Sequence, residues 1–175
     1  MKLYVTRHGE TEWNYTNKIL GRTDIPLNEK GVLQAKTLAK NLPKDIELII
    51  ASPLGRAFTT AKIIAEENKL PYQSDRRLVE MDFGTYEGRL RSEDGYQIEK
   101  RRFFAKYPEG ESYLQVAQRV YNFLDEVISK YQGKNILIVA HNGILRVIHT
   151  YFNDVDNEDF ASYAFGNCEI IKYEI

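Results

Sequence analysis

The chain has 175 residues, 43% of them hydrophobic and 28% charged, the proportions of a globular domain and not of a disordered segment. Its 24 basic and 25 acidic residues leave a net charge of -1, so no global field draws it to nucleic acid or to an anionic membrane. The single cysteine, Cys168, excludes an internal disulfide and a multi-cysteine metal site, and no apolar run reaches the ~20 residues of a membrane span.

The N-terminus meets Lys2, Arg7 and His8 too early to hold a signal-peptide core, so a reducing cytoplasm is the expected location. Leu3 to Arg7 reads as a short strand running into His8-Gly9. Leu27 to Leu42 reads as a helix, capped by Asn28, with Val32, Ala35, Leu38, Ala39 and Leu42 on one face. Ile46 to Ala51 is a second strand. Ser52-Pro53 then reads as an N-cap followed by proline at the first position of a helix that runs to about Asn68. Tyr72 to Leu78 is a candidate third strand. From Ser112 to Tyr131 a stripe of Leu114, Ala117, Val120, Leu124, Val127, Ile128 and Tyr131 marks a helix, stopped by Gly133. Asn135 to Ala140 is almost wholly apolar, as expected of a strand covered on both faces. Gly143 to Phe152 is a further helix, and Glu169 to Ile175 a last strand.

Strand–helix alternation of this kind predicts an α/β fold, a three-layer α/β/α sandwich on a mainly parallel sheet, with residues 1–175 as one domain. Ligands bind such sheets outside the carboxyl ends of the strands. Three strands end there in unusual chemistry: Arg7-His8-Gly9, Ser52-Pro53-Leu54-Gly55-Arg56 and His141-Asn142-Gly143. The long connection from Gly9 to Leu27 reads as a functional loop.

If those ends converge, Arg7 and Arg56 offer planar forks that match phosphate oxygens. Arg56 falls in the first turn of its helix, where free amides also favour an anion. A neutral imidazole can attack phosphorus, and a protonated one can neutralise charge on the transferring group, so His8 and His141 suit a phosphate cradle with its own nucleophile. The leaving oxygen then needs a proton. Glu80, flanked by apolar residues and followed by Gly84 and Gly88, is the candidate acid; Asp82, Glu87 and Glu10 are alternatives.

Arg7-His8-Gly9-Glu10-Thr11-Glu12-Trp13-Asn14 resembles the signature of the histidine phosphatase superfamily, the phosphoglycerate mutase-like family. Its next blocks resemble Gly21-Arg22-Thr23-Asp24-Ile25-Pro26-Leu27 and Ser52-Pro53-Leu54-Gly55-Arg56-Ala57. Glu80 with Phe83-Gly84 and Tyr86-Glu87-Gly88, then Gly110-Glu111-Ser112, then Val139-Ala140-His141-Asn142-Gly143, continue in the family's order. The resemblance implies that His8 becomes a phosphohistidine, that Arg7, Arg56 and His141 bind the phosphoryl group, and that Glu80 protonates the leaving alkoxide. It implies that Asn14 bonds a phosphate oxygen, that Gly21 and Arg22 belong to the binding loop, and that the Gly9 carbonyl fixes the tautomer of His8. No metal and no cofactor are implied. Asn142 stands where many members have glycine. A carboxamide there also occurs in the fructose-bisphosphatase branch, whose substrate-binding arginine corresponds to Arg146, which hints at a second anionic group on the substrate.

The expected enzyme is therefore a metal-independent phosphoric monoester hydrolase of the histidine acid phosphatase type, acting on a small phosphorylated metabolite. Alternatives are a phosphoglycerate mutase or a non-catalytic phospho-ligand-binding module. Intact His8, His141, Arg7, Arg56 and Glu80 disfavour the module. The short span between Tyr86-Glu87-Gly88 and Gly110-Glu111-Ser112, and the chain's end at its last strand, disfavour the mutase, which needs a lid and tail to exclude water. The variable lid segment, about 85–110, carries Arg89, Arg91, Lys100, Arg101 and Arg102. Lys100-Arg101-Arg102 by itself reads as a solvated helix face. Tyr96, Phe103, Phe104 and Tyr107 are candidates to cover a ring. His149 and Cys168 read as packing residues, and Trp13 as packing that fixes the His8 loop.

Overall fold

In the computed structural model, which describes residues 1–175, the strands are β1 (Lys2–Arg7), β2 (Leu48–Ala51), β3 (Tyr72–Ser74), β4 (Ile136–Ala140) and β5 (Ile170–Glu174). They form one sheet in the order β3-β2-β4-β1-β5, parallel except for β5, which runs antiparallel to β1 at the edge. The helices are α1 (Glu12–Tyr15), α2 (Glu29–Lys40), α3 (Gly55–Asn68), α4 (Asp94–Glu99), α5 (Tyr113–Lys130), α6 (Asn142–Phe152) and α7 (Asn157–Ser162). None is long and apolar enough to cross a membrane.

The two faces follow from the period of the strands. Leu3 and Val5 of β1 and Ile136, Ile138 and Ala140 of β4 pack with Val120, Phe123 and Leu124 of α5 and Ile144, Leu145 and Ile148 of α6. The alternate residues, Tyr4, Leu137 and Val139, face Leu38 and Ala39 of α2 and Ala57, Ala61, Ile64 and Ala65 of α3. Successive strand residues point to opposite sides, so a strand placed in mid-sheet must be apolar throughout, and all five residues of β4 are buried. This is the α/β/α sandwich that the alternation of elements predicts.

Four details differ from the sequence reading. The predicted strand Tyr72–Leu78 ends at Ser74; Asp75 accepts from the Arg77 amide and turns Arg76–Leu78 into a 3₁₀ turn. The predicted strand from Ile46 begins only at Leu48. The buried face of α5 is set by Tyr113, Val116, Val120, Phe123, Leu124 and Val127, and Leu114 is exposed. Ser112 and Gln115 form a reciprocal capping box that fixes that rotation. Ser52 is not the cap of α3: Leu54 holds that position with no side-chain bond, while the Gly55 amide donates to Asp24 at 2.9 Å. The Ser52 hydroxyl lies instead against His141.

Register brings the chemistry together. Arg7 stands opposite Ala140, and Ala51 opposite Val139, so His8, Ser52 and His141 follow three neighbouring strands at one edge. The His8 amide donates to the Ala140 carbonyl at 3.0 Å, tying the two histidine-bearing ends together.

Candidate active site

Gly9 lets the chain leave β1 against the start of α2. A Cβ there would stand 2.4 Å from the Gly31 carbonyl oxygen, and one on Gly31 2.1 Å from that of Glu10. Neither position accepts a side chain without moving backbone. The Gly9 amide donates to Thr60 of α3, and Asn167 Nδ2 donates to the His8 carbonyl at 2.7 Å. The His8 loop is thus held from both ends of the chain.

His8 is 2% exposed. Its Nδ1 lies 2.7 Å from the Gly9 carbonyl oxygen, which can only accept, so Nδ1 carries the proton. Arg56 Nε, which can only donate, lies 3.3 Å from Nε2. Nε2 therefore carries no proton, and its lone pair accepts only this long bond, which an incoming phosphoryl group would replace. Burial, then Arg7 and Arg56, hold His8 well below the usual histidine range, so the ring is neutral at physiological pH.

Arg56, fully buried at the start of α3, donates to the Gly21 carbonyl at 2.6 Å and to the Thr23 carbonyl at 2.9 Å. Gly21 thus serves by its main chain. Burial lowers Arg56 to about 10 and Arg7 to about 10, which leaves both cationic at neutral pH. Arg7 Nη1 donates to the Phe165 carbonyl at 3.0 Å, and its Nε is buried with no protein partner. The Nδ2 of Asn14 is in the same position, its Oδ1 being held by the Thr11 amide.

The His141 ring lies 5.2 Å from that of His8, centre to centre. Its Nε2 is 2.7 Å from Ser52 Oγ, which also accepts from the Leu54 amide. A serine proton given to Nε2 puts the imidazole proton on Nδ1, a buried donor with no protein partner. Burial and Arg56 hold His141 well below the usual range too. The protonated His141 considered from sequence is therefore not its state here: the ring is neutral, with Nδ1–H available as a dipolar donor. Three orphaned buried donors, on Arg7, Asn14 and His141, are what an oxyanion would satisfy.

Glu80 is 4% exposed. Its Oε1 accepts from the Met81 amide at 2.8 Å and its Oε2 from the Gly143 amide at 3.1 Å, at the start of α6. Both bonds favour the carboxylate, but burial outweighs them and raises the pKa. The other carboxylates weighed from sequence are occupied elsewhere. Asp82 accepts from the Gly84 amide, Glu87 from the Arg22 and Thr23 amides, and Glu10 from Asn28 and Lys30.

Beside this cradle lies a cavity of about 60 Å³ whose lining includes Glu80, Asn142, Gly143, Arg91, Lys100 and Arg146. Asn142 Oδ1 accepts from the Phe165 amide at 2.9 Å, and Arg146 Nε donates to the Tyr163 carbonyl. A strap, residues 163–168, therefore holds Arg7, Asn142, Arg146 and His8, mostly through its own main chain. Nothing in its sequence signals that role. His149, read as packing, stacks on Tyr163 at 4.6 Å and buttresses the strap.

Arg22 does not face this cavity: it pairs with Glu111 at 2.9 Å and Asp82 at 3.6 Å. Of the lid cations, Arg89 pairs with Glu93 and Arg102 with Glu99, and Arg101 is exposed. Lys100 belongs to the cavity and not to the solvated face that its run suggests. Tyr96 and Tyr107 are buried against Phe83, and Phe104 is exposed. No three His, Cys, Asp or Glu side chains are grouped so as to hold a metal ion.

The family model described as histidine phosphatase superfamily (branch 1) matches residues 3–175. Phosphoserine phosphatase 1 of Hydrogenobacter thermophilus is 33% identical over 175 aligned residues, covering 95% of this chain and 83% of that protein. A probable phosphoglycerate mutase, GpmB of Yersinia pestis, is 37% identical over 149 residues, covering 81% and 69%. Among solved structures, a mycobacterial glucosyl-3-phosphoglycerate phosphatase in complex with VO3 superposes with a TM-score of 0.87 at 26% identity, over 98% of this chain and 91% of that one.

Proposed function

We propose that this chain, which belongs to the histidine phosphatase superfamily, hydrolyses small phosphorylated metabolites through a phosphohistidine on His8. The observation that carries the reading is the tautomer of His8: Nδ1–H faces a carbonyl, so Nε2 presents a lone pair beside the buried Arg56.

The ester's phosphoryl oxygens take the orphaned donors of Arg7, Asn14 and His141 together with Arg56. Nε2 of His8 attacks phosphorus, the phosphorus–oxygen bond to the alcohol breaks, and Glu80 gives its proton to the departing oxygen. Glu80, now a carboxylate, takes a proton from water, whose oxygen attacks the phosphohistidine. The nitrogen–phosphorus bond breaks, phosphate leaves, and His8 and Glu80 return to their starting states. Arg7 and Arg56 supply fixed positive charge to the transferring group in both steps.

Transfer to water is favoured over return to a second hydroxyl, the mutase reaction. The phosphoserine phosphatase matches a larger share of this chain, and of its own length, than the probable mutase does. The cytoplasm remains the expected compartment, since a single cysteine forms no internal disulfide.

Rapid-quench kinetics of Glu80→Gln test the reading. p-Nitrophenyl phosphate needs little leaving-group protonation, so it should give a burst and an acid-labile phosphoprotein that hydrolyses about 10²–10⁴-fold slower than wild type. An alkyl phosphate should give no burst. Glutamine offers one acceptor oxygen to the Met81 and Gly143 amides in place of two, so the melting temperature is read alongside. His8→Ala should abolish both labelling and turnover. Wild-type turnover of both esters by Glu80→Gln would remove Glu80 as the acid, and phosphate never found on His8 would replace the covalent route with direct attack by water.

A further inference from the structure

Glu87 is half-buried and has no arginine or lysine within ion-pair distance, whereas its neighbours Asp82 and Glu111 share Arg22. Every bond of its side chain goes to one short stretch of the connection between α1 and α2. Oε1 accepts from the Arg22 amide at 2.7 Å, and Oε2 accepts from the Thr23 amide at 2.8 Å and from the Thr23 hydroxyl. Register explains the meeting. The lid segment runs antiparallel to that connection: the Ile19 amide donates to the Arg89 carbonyl, the Gly88 amide to the Ile19 carbonyl, and Lys18 pairs with Leu90. Two residues further along, Glu87 comes up against Gly21. A Cβ on Gly21 would stand 2.3 Å from Oε1 and 2.7 Å from the Met81 carbonyl oxygen, so glycine there is what admits the carboxylate.

The same stretch holds Arg56 from its other side. The Gly21 carbonyl takes Nη2 at 2.6 Å, and the Thr23 carbonyl takes Nη1 at 2.9 Å. The Gly21 carbonyl and the Arg22 amide belong to one planar trans peptide, whose C=O and N–H point in opposite directions. That peptide is therefore wedged between a carboxylate on its N–H side and a guanidinium on its C=O side. Charge at each end polarises the group in the sense that strengthens the bond at the other. Thr23 repeats the arrangement, with its amide and hydroxyl on Glu87 and its carbonyl on Arg56.

We infer that Glu87 is a positioning residue, which fixes the main chain at 21–23 so that two carbonyls hold the Arg56 guanidinium in place beside His8. This rests on the phosphatase reading and adds to it a residue that acts through Arg56 and not on the ester itself. Orientation matters because Arg56 Nε lies 3.3 Å from Nε2 of His8, so a turn of the guanidinium plane carries its donors away from the transferring group. A glutamine at 87 keeps the shape but accepts at one atom only, and it sets an NH2 group against one of the two amides.

Glu87→Gln should lower kcat/KM for p-nitrophenyl phosphate about 10- to 100-fold, with a melting curve recorded to show that the variant is folded. A double-mutant cycle with Arg56→Lys separates positioning from a general structural role. If Glu87 works through Arg56, the double variant loses what Arg56→Lys alone loses, to within about twofold. Losses that multiply, or wild-type kcat/KM in Glu87→Gln, would overturn the proposal. Nitrogen-15 NMR reads the arginine directly. Held by two carbonyls, Arg56 should give separate Nη signals in the wild type, identified by their loss in Arg56→Lys, and in Glu87→Gln they should broaden and merge. Unchanged signals would overturn the proposal as well. If Glu87→Gln does not fold, Thr23→Val, which removes only the hydroxyl bond to Glu87, replaces it in both measurements, with a loss of about three- to tenfold that vanishes in the Arg56→Lys background. If the wild type does not hydrolyse p-nitrophenyl phosphate, the phosphatase reading fails. The NMR comparison then decides by itself whether Glu87 holds Arg56.

Discussion

Gly143→Ala tests the placement of the acid without touching any ionisable group. Gly143 opens α6 in ordinary helical geometry, so alanine there brings no backbone strain, and helix propensity favours it slightly. The obstacle is Glu80. A Cβ on residue 143 would stand 2.6 Å from Oε1, against the 3.4 Å at which ordinary contact begins. The carboxyl group must retreat by about 0.8 Å, and it cannot do so while keeping its bonds to both the Met81 and Gly143 amides. Loss of one such bond costs about 1 kcal/mol of stability. That moves the melting temperature of a domain this size by about 2–4 °C. A displacement approaching 1 Å in a catalytic group costs about 10²-fold in rate, or about 2.7 kcal/mol of barrier. The assay is the rapid-quench rate of phosphoenzyme formation from an alkyl phosphate beside that from p-nitrophenyl phosphate, with the melting temperature as control. The alkyl ester should lose about 10²-fold while the activated ester loses far less in its first step. Equal losses on the two esters, or wild-type activity on both, would show that the contact between Gly143 and Glu80 does not set the acid's position.

Arg56→Lys keeps the charge but replaces three directed donors with one nitrogen, leaving the buried Gly21 carbonyl or the Thr23 carbonyl without its arginine donor; kcat/KM should fall about 10²-fold or more, and near-wild-type activity would remove Arg56 from the phosphate cradle. The pH profile of kcat/KM, corrected for the ester's own ionisation, should carry an acid limb well below 6.5, because burial, Arg7 and Arg56 keep His8 deprotonated to low pH. Its alkaline limb should lie above the usual carboxylate range, because burial keeps Glu80 protonated to higher pH; an acid limb at 6.5 would mean His8 is not shielded as described. Turnover should survive a chelator, since Arg7 and Arg56 supply the charge that a divalent ion would otherwise bring; loss of activity restored by added divalent ion would overturn the mechanism.

Residues that act through side chains at strand ends were legible, because the α/β pattern predicts where such ends meet. His8, Arg56 and His141 come together for that reason. Ser52 was misread because serine before proline is a common helix cap, and only the adjacency of β2 and β4 shows His141 competing for its hydroxyl. Lys100 was misread because three consecutive basic residues look uniform in sequence, whereas at the end of α4 they diverge. Arg102 turns to Glu99, Arg101 to solvent and Lys100 to the cavity. The strap at 163–168 was invisible for a different reason. It holds Arg7, Asn142 and Arg146 with the carbonyls of Tyr163 and Phe165 and the amide of Phe165, and such groups are present in almost any sequence.

The order of the strands also bears on when activity appears during folding. β4 enters the sheet between β1 and β2, which share no hydrogen bonds of their own. A growing chain that has reached Asn135 already contains His8, Arg56 and Glu80. It still lacks the Ala140 carbonyl that takes the His8 amide, the Gly143 amide that holds Glu80, and Asn167. Parallel pairings between such distant segments form slowly, so the earliest-made reactive residue is armed among the last. Recovered hydrolysis after dilution from denaturant therefore reports insertion of β4, and it should lag behind the return of helical circular dichroism.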